Sequence, residues 1–193
     1  MIRKLFRRRN RKGAMAAEYV ATMWLLFLFI FFPILNLATV SLNAFFLWFC
    51  CNQATAAGAK SQCFMAAVEI PVGSGTWFTG AYDTARAKAT EVRTMFPGIS
   101  WNQTATNPEV RLIAEPIDPA SGLSQIQHVG PGPWVSTPFP DPDEYTLLLR
   151  VTIRGSANPL IAVPWFDVPG LSKPMDLIVT NQAQFENVSG VRF

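Results

Sequence analysis

Hydrophobic and polar positions change rhythm three times along the chain. From Tyr19 to Ala59 no side chain is charged, and Leu25 to Leu35 is nearly all Leu, Phe and Ile. The apolar stretch from Tyr19 to Trp48 exceeds the roughly 20 residues a helix needs to cross a bilayer. One long helix is predicted from Tyr19 to about Ile70, kinked at Pro33, where proline removes a backbone donor. Asn36, Thr39, Ser41 and Asn43 interrupt its apolar character. Two readings stay open: these residues face other protein, where polar groups in a membrane are least costly, or the span ends near Leu37 and they lie in the headgroup layer. From Asn52 to Val68 the residues turn small, and Ala54, Ala57, Ser61, Met65 and Val68 share a helical face that lets another element come close. Pro71, Gly73 and Gly75 are expected to end this helix.

The second rhythm steps by three and four. Tyr82, Ala85, Ala89, Val92 and Phe96 mark one face, with Asp83, Arg86, Lys88, Glu91 and Arg93 between them. This predicts an amphipathic helix capped by Thr79 and stopped by Pro97-Gly98. The third rhythm has period two. Strands are predicted at Val110–Glu115, Tyr145–Arg154 and Leu177–Phe185, with Leu147, Leu149, Val151 and Ile153 turned to one side and Thr146, Arg150 and Thr152 to the other. The fold class that follows is α+β: a long N-terminal transmembrane helix, then a second helix packed on a short antiparallel sheet. Between the first two strands, Pro116 to Asp143 holds seven of the fifteen prolines and reads as a long functional or mobile loop. Pro159 to Gly170 is a second irregular stretch.

Charge sharpens the picture at one end. Seven of the sixteen basic residues lie in the first twelve positions, leaving nine basic against thirteen acidic residues, a formal charge of −4, in the rest. Arg7, Arg8, Arg9, Arg11 and Lys12 abut the apolar run, which places them on the cytoplasmic side and the residues after about Trp48 outside. No nucleic-acid motif accompanies the basic run, so direct nucleic-acid binding is not expected. The apolar run is longer than the h-region of about 7–15 residues in a cleaved secretory signal, which favours a retained anchor.

Candidate chemistry is sparse. His128 is the single histidine, and a zinc site of the usual ligand sets is hard to build around it. Asp141, Asp143 and Glu144 form an acidic cluster without the glycine and distant glutamate of a calcium loop. No nucleophile elbow, phosphate loop or dinucleotide fingerprint is found. No catalytic residues, metal or cofactor are therefore expected, and the role is non-enzymatic. Cys50, Cys51 and Cys63 follow the apolar run as small apolar residues, intermolecular disulfide partners or free thiols. Trp77, Trp101, Trp134 and Trp165 either plug the core or line a partner surface. Asn102-Gln103-Thr104 and Asn187-Val188-Ser189 match the glycosylation triplet, a frequent chance pattern.

One constellation stands apart: a basic leader, Gly13, the small residues Ala14, Ala16 and Ala17, then Glu18, Tyr19 and the apolar helix. A glutamate at the mouth of a membrane helix costs about 2–3 kcal/mol if held in hydrocarbon, unless it stays in the headgroup layer beside Arg11 or Lys12. The run Arg11-Lys12-Gly13-Ala14-Met15-Ala16-Ala17-Glu18-Tyr19 resembles the class III signal of type IV prepilins, and is most similar to TadE-like pseudopilins of the tight-adherence (Tad) pilus. Ala54-Thr55-Ala56-Ala57-Gly58-Ala59-Lys60 is similar to the small, basic-ended helix that follows the membrane in those proteins. Pro159-Leu160-Ile161-Ala162-Val163-Pro164 and the strands around it add a less specific likeness.

The resemblance implies a leader (1–13), a transmembrane helix (14–48) and an extracytoplasmic domain (49–193). It implies cleavage between Gly13 and Ala14 by a prepilin peptidase, and subunit assembly through Glu18 and Tyr19. Implied partners are that peptidase, other pilins or pseudopilins, the pilus assembly platform and the lipid bilayer. The implied location is the bacterial inner membrane, single-pass, N-terminus cytoplasmic. The body is larger than a bulk Tad filament subunit, which points to a minor pilin. The competing expectation is an uncleaved, membrane-anchored binding module or secretion scaffold in which Gly13 and Glu18 are incidental.

Overall fold

In a computed structural model, the described residues are 2–64, 68–69, 75, 77–96, 99–101, 104, 106–130, 140–161, 168–170 and 172–187, with 2–12, 14, 68, 69, 77 and 99 described by backbone alone. The chain is α+β, with a long apolar N-terminal helix and an antiparallel sheet. Helix α1 spans Ile2–Leu26, a π-helical turn spans Phe27–Phe31, and α2 spans Phe32–Ala59. The distortion expected at Pro33 takes the form of that π turn, just before the proline. In α geometry the Pro33 ring would press on the carbonyl four residues back, and a locally widened helix relieves the collision.

Two compact units are formed, one by Met1–Ser41 with Asn158–Pro174, the other by Leu42–Ala157 with Met175–Phe193. In the first, Asn36 is fully buried. Its carboxamide donates to the Ile161 carbonyl at 2.7 Å and accepts from the Ile161 N–H at 3.0 Å. Thr39 turns its hydroxyl back onto the Leu35 carbonyl at 2.9 Å, so its polarity is spent within the helix. Asn36, one of the polar interruptions of the apolar run, is thus covered by the chain's own later segment.

The second unit holds α3 (Ala81–Thr94) and strands β1 (Val68–Glu69), β2 (Trp77–Phe78), β3 (Ile99–Ser100), β4 (Glu109–Pro116), β5 (Ile126–Val129), β6 (Tyr145–Ala157) and β7 (Met175–Gln184). The first two strands form a small antiparallel pair. The other five form one antiparallel sheet in which β6 pairs with β3 and β4 along one side and β7 along the other, and β5 extends β4. The alternation of β6 is realised: Tyr145, Leu147, Leu149, Val151 and Ile153 are buried. They cluster with Leu47, Cys50, Cys51 and Ala54 of α2 and with Ala81, Tyr82, Ala85, Ala89 and Val92 of α3. Each large aliphatic buried there contributes about 1.5–3 kcal/mol.

Two glycines mark where the layers touch. A methyl on Gly58 would sit 2.6 Å from Leu149 Cδ2 and 3.1 Å from both the Ala81 carbonyl oxygen and Ala85 Cβ. A methyl on Gly155 in β6 would lie 3.3 Å from Leu47. The close approach falls at Gly58 rather than along the expected face of Ala54, Ala57, Ser61, Met65 and Val68, which is cut short because the helix ends at Ala59 and Val68 lies in a strand.

The long helix ends at Ala59 rather than near Ile70, because its downstream carbonyls are engaged elsewhere. Ala59 accepts from Glu186 N–H at 3.0 Å, and Ser61 N–H turns back to Gly58 at 3.1 Å. Cys63 and Phe64 accept from the N–H groups of Ala81 and Tyr82 at 2.7 and 3.2 Å, satisfying orphan donors at the start of α3. This replaces the cap expected from Thr79: the N-cap is Gly80, with no side-chain bond. Helix α3 ends at Thr94, ahead of Pro97-Gly98, which lie outside the described residues. Within the proline-bearing stretch the described residues 116–130 hold regular structure: Pro119–Ser121 makes a 3-10 turn, and β5 pairs with β4 from Ala114↔Ile126 to Arg111↔Val129.

Candidate functional site

Gly13, Ala14, Glu18 and Tyr19 lie on the uninterrupted helix α1, and the backbones of Arg7, Arg8, Arg9, Arg11 and Lys12 belong to its preceding turns. The basic side chains and that of Ala14 lie outside the described residues. Gly13 is exposed, and among the described residues a methyl added there would meet nothing within 4 Å. Among the described residues no packing demand accounts for glycine at this position. In a helix it costs about 1 kcal/mol relative to alanine, making this the point where α1 opens most readily.

Ala14 and Glu18 are four residues apart and share a helix face. Glu18 and Tyr19 are both exposed, and Glu18 forms no ion pair among the described residues. The Thr22 hydroxyl donates to the Glu18 carbonyl at 2.8 Å, and among the side chains described from Gly13 to Ala59 the Glu18 carboxylate is the one charged group. Beyond it Met23, Trp24, Leu25, Leu26, Phe29 and Ile30 are all at least half exposed. Phe27 and Phe31 stack at 4.4 Å across the π turn.

Among the described residues, one helix is long and apolar enough to cross a membrane, over Met15–Ala59. Its 45 residues compare with the roughly 20 a helix needs to cross about 30 Å of hydrocarbon. Less than half of it suffices to span. From Leu47 onward its buried residues serve the core of the second unit.

Other residues singled out by type resolve into structural roles. His128 lies in β5, not in a loop, and its ring meets Phe64 edge-on at 5.6 Å. Asp141 organises a turn: its side chain accepts from Asp143 N–H at 3.0 Å and its carbonyl accepts from Tyr145 N–H at 2.9 Å. Trp101 is buried, with the Arg93 guanidinium 5.1 Å above its ring. The Trp77 side chain, Trp134 and Trp165 lie outside the described residues, as do Asn102, Gln103, Val188 and Ser189 of the glycosylation triplets. Cys50, Cys51 and Cys63 form no disulfide among the described residues and are fully buried. The Cys51 thiol donates to the Val151 carbonyl at 3.2 Å. Burial removes them from intermolecular pairing in the folded chain.

The Asn36–Ile161 clasp was not readable from sequence, since its two ends are 125 positions apart. The only local signal was a polar amide in an apolar run. No family model, curated protein or solved structure matches the chain.

Proposed function

We propose that this chain is a TadE-like pseudopilin, a minor pilin that takes part in assembly or initiation of a Tad-type pilus after a prepilin peptidase removes its leader. The observation that carries the reading is the Gly13–Glu18 interval: a glycine with no packing role among the described residues, five residues before an exposed carboxylate, at the foot of a helix able to span a bilayer. The basic leader sets an N-inside topology and is discarded. The small α+β unit then lies outside the cytoplasm of a bacterial inner membrane, available to other pilins and the assembly platform. The role is structural rather than enzymatic.

Cleavage after Gly13 requires extended backbone in the peptidase cleft, and the helix resists opening least at a glycine. The cut leaves an α-ammonium on Ala14, one turn from Glu18. In a low-dielectric layer an ammonium and a carboxylate attract strongly, and either one alone is costly. Pairing Glu18 with the amine of a neighbouring subunit therefore fixes a register between side-by-side helices, with Tyr19 beside it.

The test is Glu18→Ala in cells that make the whole machine. The substituted chain is expected to reach the membrane and be processed, yet to lose co-purification with the other pilins. Unchanged co-purification would favour the uncleaved anchored module instead.

A further inference from the structure

We propose that the open edge of β7 is a pairing surface for a second copy of this chain, joined antiparallel about Thr180. Strand β7 hydrogen-bonds to β6 along one side and to no strand on the other among the described residues. Beside it, Phe185 N–H donates to the Leu147 carbonyl at 2.8 Å. In an antiparallel ladder the peptide groups of alternate residues turn to opposite sides. The odd-numbered residues of β7 therefore serve β6, and Asp176, Ile178, Thr180, Gln182 and Gln184 direct their N–H and C=O groups outward.

Proteins usually blunt such an edge with short length, lysine, proline or a bulge. The other end of the sheet follows that rule, since β5 has four residues. Strand β7 does not: it runs ten residues with no proline and no basic side chain, and its register to β6 is unbroken. An edge left open in this way is a template for another strand.

The edge's own sequence supplies the complement. One antiparallel register engages all five outward residues, setting Thr180 against Thr180, Ile178 against Gln182 and Asp176 against Gln184 of the second copy. No like charges meet, each Asp176 carboxylate faces an amide donor, and a threonine pair is a favourable cross-strand match. On the inner face the same register sets Leu177 against Ala183, and both are only partly buried in the single chain. Such a pairing is isologous and closes on itself as a two-fold dimer.

Cross-linking of the full chain in membranes tests this. Directly opposed residues in a hydrogen-bonded pair have Cα atoms about 5.5 Å apart, within disulfide range. The native cysteines are fully buried and do not compete. Thr180→Cys is expected to give at least tenfold more disulfide-linked dimer than Ser121→Cys, an exposed position on the 3-10 turn. A mixture of Ile178→Cys and Gln182→Cys chains should cross-link better than either alone. Ile178→Pro removes an outward donor without touching the β6 ladder, and should lower the Thr180→Cys dimer at least fivefold with the circular dichroism unchanged. Thr180→Cys dimer no higher than that of Ser121→Cys, dimer indifferent to Ile178→Pro, or cross-links only to a different protein would each overturn the proposal.

Discussion

Gly58→Ala sets two local effects against each other, and the structure says which prevails. Replacing glycine by alanine inside a helix ordinarily stabilises by about 1 kcal/mol. At Gly58 the new methyl would lie 2.6 Å from Leu149 Cδ2, where carbon atoms rest at about 3.5–4.0 Å. Leu149 is fully buried, so its Cδ2 can yield only by a rotamer change within the core, and the Ala81 carbonyl at 3.1 Å is backbone. Overpacking of this kind costs about 1–3 kcal/mol. The net for alanine is a loss of up to about 2 kcal/mol, larger for Gly58→Val, which adds two further methyls and recovers less helix propensity. A loss of 1 kcal/mol lowers Tm by about 2–4 °C in a chain of this size. Melting of the full chain in detergent, followed by tryptophan fluorescence, is expected to rank wild type above Gly58→Ala above Gly58→Val. Leu149→Val should cost less in the Gly58→Ala chain than in the wild type, because it makes room for the methyl. A Gly58→Ala chain that melts higher than wild type would refute the close approach of α2 to β6.

Three other outcomes follow from the same geometry. Asn36→Leu strips the Ile161 N–H and C=O of their partners, at about 1–3 kcal/mol, and should speed hydrogen exchange at the Ile161 amide at least tenfold; an unchanged rate would contradict the clasp. Cys50, Cys51 and Cys63, all fully buried, should react with maleimide only after denaturation, so labelling of the native chain within minutes would contradict the core. Gly13→Ala stiffens α1 where the leader is proposed to be cut and should slow processing, whereas Ala16→Gly, which keeps Gly13, should not.

Much of the second unit was legible because local periodicity and burial agree. The Tyr82, Ala85, Ala89, Val92 face of α3 and the odd-numbered face of β6 were readable as side-chain spacing, and both are buried. Side-chain alternation places β4, β6 and β7 within a few residues of their observed ends. The misses share one cause, which is hydrogen bonding between distant segments. The stop at Ala59 depends on Glu186, and the cap of α3 on Cys63 and Phe64. Strand β5 has four residues between proline-rich stretches, too few to show a period, and exists because β4 offers it an edge. At the candidate site the reverse holds. Gly13 and Glu18 stand out by residue type and spacing, and the structure adds that Gly13 meets no packing demand among the described residues and that Glu18 is exposed.

The central claim is most directly tested at the N-terminus of the chain as it exists in the membrane. Intact-mass measurement and N-terminal sequencing, with and without the prepilin peptidase, read the outcome in one experiment. The account predicts a mature chain beginning at Ala14 when the peptidase is present and a full-length chain when it is absent. A chain that keeps its basic leader in both, or begins at any other residue, would contradict it.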